Sequence, residues 1–209
     1  MPITSTINAI IFDLGGVIIN LSPAKTYEAF SAISKRPLSE IEELAKTSRE
    51  FNLYETGHLS DEDFRIFLRQ SLTVDIDDQL LDKAWNAMLL DIPPQRLQTL
   101  LRLKTNYRTF LLSNTNAIHL KAFNDILMNV SGQANFELYF EKDYYSHEMG
   151  LRKPNPTIFD YVVREQQLNP SQTIFLDDSS INLAGAAQAG LHTYHVTNAD
   201  ELFKELDKY

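Results

Sequence analysis

Residues 7–12 of this 209-residue chain, Ile-Asn-Ala-Ile-Ile-Phe, are apolar at every position but one. No polar–apolar alternation runs through them, so neither face of the segment is built to meet water. Such a run belongs to a strand inside a sheet that is covered on both sides. Asp13-Leu14-Gly15-Gly16 follows at once. Two consecutive glycines let the chain turn sharply and bring its backbone close to another group.

The next stretch, about 22 to 90, carries helix starts and almost no strand pattern. Ser39 followed by Glu42 reads as a capping box, and Ser60 with Asp63 as a similar start. Phe64, Phe67 and Leu68 then fall at helical spacing. Residues 77–90, with Leu80, Leu81, Ala84, Trp85 and Met88, form another amphipathic pattern that Pro93-Pro94 stops. From there the chain alternates. Helices are expected at 95–104, 117–129, 156–167, 180–189 (stopped by Gly190) and 199–208. Strands are expected at 108–112, 136–140, 173–176 and 191–196. Strands alternating with helices imply right-handed crossovers and a parallel sheet, hence an α/β fold. The helical stretch between the first strand and this alternation reads as an insertion.

Composition narrows the function. Nineteen Lys plus Arg stand against 28 Asp plus Glu, a formal charge of −9. An acidic surface repels phosphate backbones and anionic lipid, so neither nucleic acid nor a membrane is an expected partner. No apolar run reaches the ~20 residues of a membrane helix. The N-terminus lacks a basic start, and Asp13 interrupts its apolar run, so no signal peptide is expected. The absence of cysteine excludes a disulfide scaffold, a Cys-ligated zinc and a thiol nucleophile. The expectation is a soluble cytoplasmic protein.

Three of the expected strands end in polar residues: Asp13, Ser113-Asn114 and Asp177-Asp178. In an open parallel sheet the ligand site lies beyond the carboxyl ends of the strands, so these groups converge despite their separation in sequence. Lys153, at the entry to the helix expected from 156, joins them. Carboxylates with few other ligands suit Mg²⁺, which prefers oxygen and keeps several waters. A hydroxyl, an ammonium and backbone N–H groups suit phosphate oxygens. Each group also has an ordinary reading: Asp13 as the cap of a Gly-Gly turn, Ser113-Asn114 as a turn pair, Lys153 as a solvated lysine, Asp177-Asp178 as helix caps.

Taken in order, Ile11-Phe12-Asp13-Leu14-Gly15-Gly16-Val17, Leu112-Ser113-Asn114, residues 150–156 (Gly-Leu-Arg-Lys-Pro-Asn-Pro) and residues 175–182 (Phe-Leu-Asp-Asp-Ser-Ser-Ile-Asn) resemble the four motifs of the haloacid dehalogenase-like hydrolase superfamily. The resemblance covers nearly the whole chain, from Ile7 to about Val196, and is nearest to phosphatases of the sugar-1-phosphate type. It implies a Rossmann-like parallel-sheet core, residues 1–20 and 91–209, with an inserted all-helical cap at 21–90. It further implies a Mg²⁺-dependent phosphomonoesterase acting on a small phosphorylated metabolite, a sugar phosphate being favoured. Asp13 is then the nucleophile that forms an aspartyl-phosphate. Asp13, the Gly15 carbonyl and Asp178 hold the metal, with Asp177 acting through water. Ser113, Asn114 and Lys153 bind the phosphate.

One position departs from the phosphatase pattern. The family's first motif carries a second Asp two residues after the nucleophile, and it moves the proton to and from the reacting oxygens. Here that position is Gly15. The backbone carbonyl survives, but the proton shuttle, worth roughly 10²–10⁴-fold, does not. The histidine candidates to replace it are His58 at a turn of the cap, His119 near the second motif, His147, and the strand residues His192 and His195. Asn20, Tyr27 and residues 54–58 are the candidates for substrate contact. Two alternatives follow from Gly15: a 2-haloacid dehalogenase, whose Asp attacks carbon without a metal, and a non-catalytic phosphate-binding protein.

Overall fold

The computed structural model describes residues 6–209. Its centre is a sheet of five parallel strands: β1 (Ala9–Phe12), β2 (Arg108–Ser113), β3 (Lys142–Tyr145), β4 (Thr173–Asp177) and β5 (His192–His195), in the order β3-β2-β1-β4-β5. β1 is the middle strand, with Phe12 opposite Leu111 of β2 and Leu176 of β4. All four of its residues are buried, which is why its sequence shows no alternation. Ile10 and Phe12 point into one apolar layer, with Leu100, Leu127 and Phe203. Ala9 and Ile11 point into the other, with Ile158, Phe159 and Ala186. Helices α6 (Pro94–Asn106), α7 (Ala117–Ser131) and α11 (Ala199–Leu206) cover the first face. α9 (Pro156–Glu165) and α10 (Ser180–Gln188) cover the second. The chain steps outward from β1 in one direction, then returns to its other side, so the crevice at the switch lies beside the end of β1.

Residues 23–85 form α1 (Pro23–Ser34), α2 (Leu38–Thr47), α3 (Arg49–Glu55), α4 (Asp61–Leu72) and α5 (Asp78–Trp85). They build an apolar cluster of their own around Phe30, Phe64, Leu68, Leu81 and Trp85, joined by Ile118 of α7. The two connections to this segment run side by side. Leu21 bridges Leu89, and Asn20 exchanges backbone bonds with Leu90 and Asp91 as well as a side-chain bond of 3.0 Å to Asp91. Asn20 is therefore spent on the crossing. No described helix is long and apolar enough to cross a membrane.

Three expectations need correction. Residues 136–140 are not a strand. Phe136–Leu138 is a single 3-10 turn, and the strand begins at Lys142. Phe136, Tyr139 and Phe140 fall at helical spacing and all enter the core, so burial of one face decides over β propensity. The helix read from Ser39 begins at Leu38 with Pro37 as its cap, and no side-chain cap forms; the fixed φ of proline suits that boundary. The pattern over 77–90 is helical only to Trp85 and then tightens into a 3-10 turn, Asn86–Met88. There the Thr26 hydroxyl accepts from Met88 N, and the Met88 carbonyl accepts from Ser22 N, drawing the chain toward the crossing. At Ser60 the expected cap does form, accepting from Asp63 N, and Asp77 caps the next helix in the same way, accepting from Leu80 N.

Candidate active site

The loop after β1 is held by its own backbone and by one buried cation. Asp13 N donates to Leu176 O, which extends the ladder one residue past the strand. Arg96, almost fully buried, donates to the carbonyls of Val17 and Ile18 at 3.1 Å each and to Asp200 at 2.8 Å. Gly16 sits at φ +70°, and a Cβ there would lie 2.3 Å from Asp178 Oδ2. The second glycine thus serves both the turn and the close approach of Asp178. The loop's backbone bonds go to the carbonyls of Leu14 and Ile19, and that of Gly15 accepts none among the described residues.

Asp13, Asp177 and Asp178 each offer an oxygen within 4.8 Å of the others. Lys153 enters from below, on the turn before α9, and is 1 % exposed. Its Nζ donates to Asp13 Oδ1 at 2.7 Å, Asp177 Oδ2 at 2.8 Å and the Leu112 carbonyl at 2.9 Å. Those three bonds use all three ammonium protons. Burial alone would push the Lys153 ammonium down, but the two carboxylates outweigh it and hold it above its ordinary value. Burial pushes the Asp13 carboxyl up to about 7; Lys153 opposes this, and Asp177 and Asp178 add to it. Asp178 is also raised, by burial and then by Asp177.

The two neighbouring aspartates are not equivalent. Asp177 is fully buried, and both its oxygens are taken: Oδ1 by Ser179 N and Asn182 Nδ2, Oδ2 by Lys153 and Asn182 Nδ2. Asp178 is exposed, and among the described residues its carboxylate accepts no side-chain bond; its carbonyl is engaged by His195 at 2.9 Å. Three carboxylates against one ammonium leave a formal charge of −2 when all are ionised. An all-oxygen donor set with that charge fits a hard divalent cation such as Mg²⁺.

Ser113, at the end of β2, is buried, and among the described residues its hydroxyl makes only a long 3.5 Å approach to Asn114 O. Its hydroxyl remains open to a ligand. Asn114 does something the sequence does not suggest. Its Nδ2 donates to Lys153 O and its Oδ1 accepts from Lys153 N, both at 2.9 Å. The oxygen and one of the two Nδ2 protons thus position Lys153.

Above the carboxylates a cavity of about 330 Å³ runs up between α1, α2 and α5. Asp13, Ser113, Lys153 and Asp178 form its floor; Tyr27, Glu55 and His119 stand higher, among Phe30, Phe51 and Trp85. Tyr54 is not part of it: its hydroxyl donates to Asp61 at 2.7 Å and accepts from Ile118 N at 3.3 Å. His58 is exposed and bonded to Thr56, while His192 meets Ser171 O. Of the five histidines His119 alone lines the cavity.

A haloacid dehalogenase-like hydrolase model matches residues 7–190. The chain belongs to the haloacid dehalogenase-like hydrolases. Among curated members, a D-ribitol-5-phosphate phosphatase of Bacteroides thetaiotaomicron is 28 % identical over 200 residues, spanning 96 % of this chain and 97 % of that one. Among solved structures, a hydrolase of this family from the same organism, crystallised with magnesium and inorganic phosphate, is 38 % identical. It superposes with a TM-score of 0.83 over 90 % of this chain and 93 % of its own. A predicted hydrolase of the family from Porphyromonas gingivalis is 31 % identical, with a TM-score of 0.84 over 98 % of this chain and all of its own.

Proposed function

We propose that this hydrolase is a Mg²⁺-dependent phosphomonoesterase of small phosphorylated metabolites, sugar phosphates first, working in the cytoplasm through an aspartyl-phosphate on Asp13. The observation that carries the reading is the floor of the cavity. A carboxylate at the end of the central strand lies within 4.8 Å of two more and is bonded to a buried ammonium. The phosphate named with the magnesium-bound relative, and the sugar-alcohol phosphate named for the curated one, support the substrate class.

In this reading Asp13 Oδ2, the oxygen not held by Lys153, attacks phosphorus. Lys153 aims the other oxygen and offsets its charge, with its Nζ bonded to Asp13, Leu112 O and Asp177. Ser113 donates its hydroxyl to a phosphate oxygen. Asp13, Asp178 and the Gly15 carbonyl hold the Mg²⁺, with Asp177 behind them. Once bound, the ion offsets the charge that would otherwise keep a phosphate dianion away from a carboxylate. The helices of residues 21–90 act as a cap: they exclude water from the floor and present Tyr27 and Glu55 to the alcohol part of the substrate.

The test is a screen of phosphorylated metabolites with Mg²⁺ and with EDTA. Turnover is expected only with the metal, and Asp13→Asn, which keeps the shape and removes the nucleophile, should abolish it. Turnover that survives EDTA would refute the metal requirement. An active Asp13→Asn would refute the covalent route.

A further inference from the structure

The phosphatase reading leaves one task without a residue. An alkoxide must take a proton as it leaves, and water must lose one as it attacks the aspartyl-phosphate, yet Gly15 has no side chain. His119 does not fill the gap. The Trp85 carbonyl beside its Nε2 at 3.3 Å can only accept, so Nε2 carries the proton, and Nδ1 accepts from Asn116 Nδ2 at 3.1 Å. Its ring stacks on Trp85 at 4.5 Å, and burial holds it down to about 4, so it is neutral and both nitrogens are engaged.

We propose that Glu55 is the general acid and base of this enzyme. The inference rests on the phosphatase reading above. Glu55 ends α3 and lines the same cavity as Asp13, Ser113 and Lys153. It is the one carboxylic acid on the lining, among the described residues, outside the aspartate cluster. It is fastened at both ends. Its carbonyl accepts from Ser146 Oγ at 2.6 Å, and that hydroxyl accepts from Thr115 N at 2.9 Å, two residues beyond Ser113. Its carboxylate Oε2 accepts from Arg152 Nε at 3.1 Å and Nη2 at 2.8 Å, one residue before Lys153. Glu55 is therefore bracketed by the chain neighbours of the two residues that flank the nucleophile.

Oε1 has no hydrogen-bond partner among the described residues, and the side chain keeps 27 % of its surface, so one oxygen is free to work. Arg152 and Lys153 are the charges facing it. Both pull the carboxyl down, yet burial outweighs them and holds it above the ordinary glutamate range, toward the pH at which an acid–base group works best.

The chemistry balances in two steps. Asp13 attacks phosphorus, the bond from phosphorus to the ester oxygen breaks, and that oxygen takes the proton from Glu55 Oε1. The alcohol leaves. Glu55, now a carboxylate, takes a proton from water as the water attacks the aspartyl-phosphate. The bond from phosphorus to Asp13 breaks, and phosphate departs with Glu55 protonated again.

Glu55→Gln keeps the shape and an oxygen for Arg152 but has no proton to exchange. With a primary sugar phosphate, kcat should fall by roughly 10²-fold or more, because the first step lacks its acid. With p-nitrophenyl phosphate, whose leaving group needs no proton, the first step should persist and the second stall. Rapid mixing should then show a nitrophenol burst approaching one equivalent per active site, and acid quenching should trap the phosphorylated chain for intact-mass analysis. Both readouts are contrasts within one preparation, so partial misfolding does not mimic them. As a second variant, Gly15→Asp in the Glu55→Gln background should restore turnover. Gly15 lies outside the left-handed region, and an added Cβ meets only the end of the Leu21 side chain, at 2.5 Å, so Leu21→Ala makes the room. Unchanged rates in Glu55→Gln, or an equal fall on both esters without a burst, would overturn the role of Glu55 while leaving the phosphatase reading intact. A wild-type protein that turns over no phosphate ester would overturn both.

Discussion

Replacing Lys153 by Met isolates the electrostatics of the active-site floor. Methionine has a similar length and keeps the apolar stem where the Lys153 Nζ now sits 5.1 Å from the centre of the Phe175 ring. What disappears is the charge and three hydrogen bonds. At the 2.7 Å separation from Asp13, one pair is worth about 6 kcal/mol of gross attraction at an effective dielectric of 20. Desolvation of the ammonium, which the variant no longer suffers, returns part of that. Removing one partner of a buried pair leaves a net loss of roughly 3–5 kcal/mol. For a chain of this length that is a drop in Tm of roughly 6–20 °C. The loss should depend on pH. The Asp13 carboxyl is held at about 7 in the metal-free fold against 3.8 unexposed to these neighbours. A folded value above the unfolded one means that stability falls as pH rises through that window. Without Lys153 the value climbs further, and each added unit costs ~1.4 kcal/mol once the pH exceeds it. Urea unfolding in EDTA, at pH 5 and pH 8, should show a clearly larger deficit for Lys153→Met at pH 8. A variant as stable as the wild type at pH 8, or a deficit equal at both pH values, would refute the claim that Lys153 acts there as a charge.

Three further outcomes can be checked. Asp178→Ala should weaken Mg²⁺ binding in calorimetric titration more than Asp177→Ala, for which roughly a 10–100-fold loss is expected. Asp177→Ala should be the one that lowers the unfolding temperature, since it strands Lys153, Asn182 and the Ser179 amide. Asp143→Asn should stabilise the fold by about 1–2 kcal/mol at pH 8 and by nothing near pH 4, measured from urea midpoints. Burial holds that carboxyl at about 6 against 3.8, and its Oδ1 is buried without a partner.

The parts of the molecule that could be read from the sequence are those where one local rule decides. β1 and β4 are sealed on both faces, so their composition alone declares them. β3 is an edge strand, Lys-Asp-Tyr-Tyr, that carries charge where it meets water. The aromatic residues just before it imitate a strand better than it does. The same division holds in the site. Asp13, Ser113 and Asp177-Asp178 are visible because they are polar residues at the ends of apolar strands. Lys153 is visible as a residue, but its burial is not, since nothing in its neighbourhood forecasts three acceptors beneath it. Glu55 appears only within a stretch of the cap, because its partners Ser146 and Arg152 lie 91 and 97 residues away. Asn114 is expected at the phosphate; its local context gives no sign that it also binds the main chain of Lys153.

The two bonds from Asn114 to Lys153 have a mechanical consequence. A strand edge offers its neighbour one acceptor and one donor per pair, and the Asn114 amide presents the same two groups from a side chain. It acts as a prosthetic rung, continuing β2 beyond its last residue and ruling the turn that carries Lys153. Ser113 and Lys153 are thereby gauged from a single rail. A lateral drift of β2 would carry both together and leave their spacing unchanged. The floor is registered to the ends of the three central strands, through Asn114 and Leu112 on β2, Asp13 after β1 and Asp177 on β4, so variation in the inserted helices can alter what the cavity admits without detuning the groups at its floor.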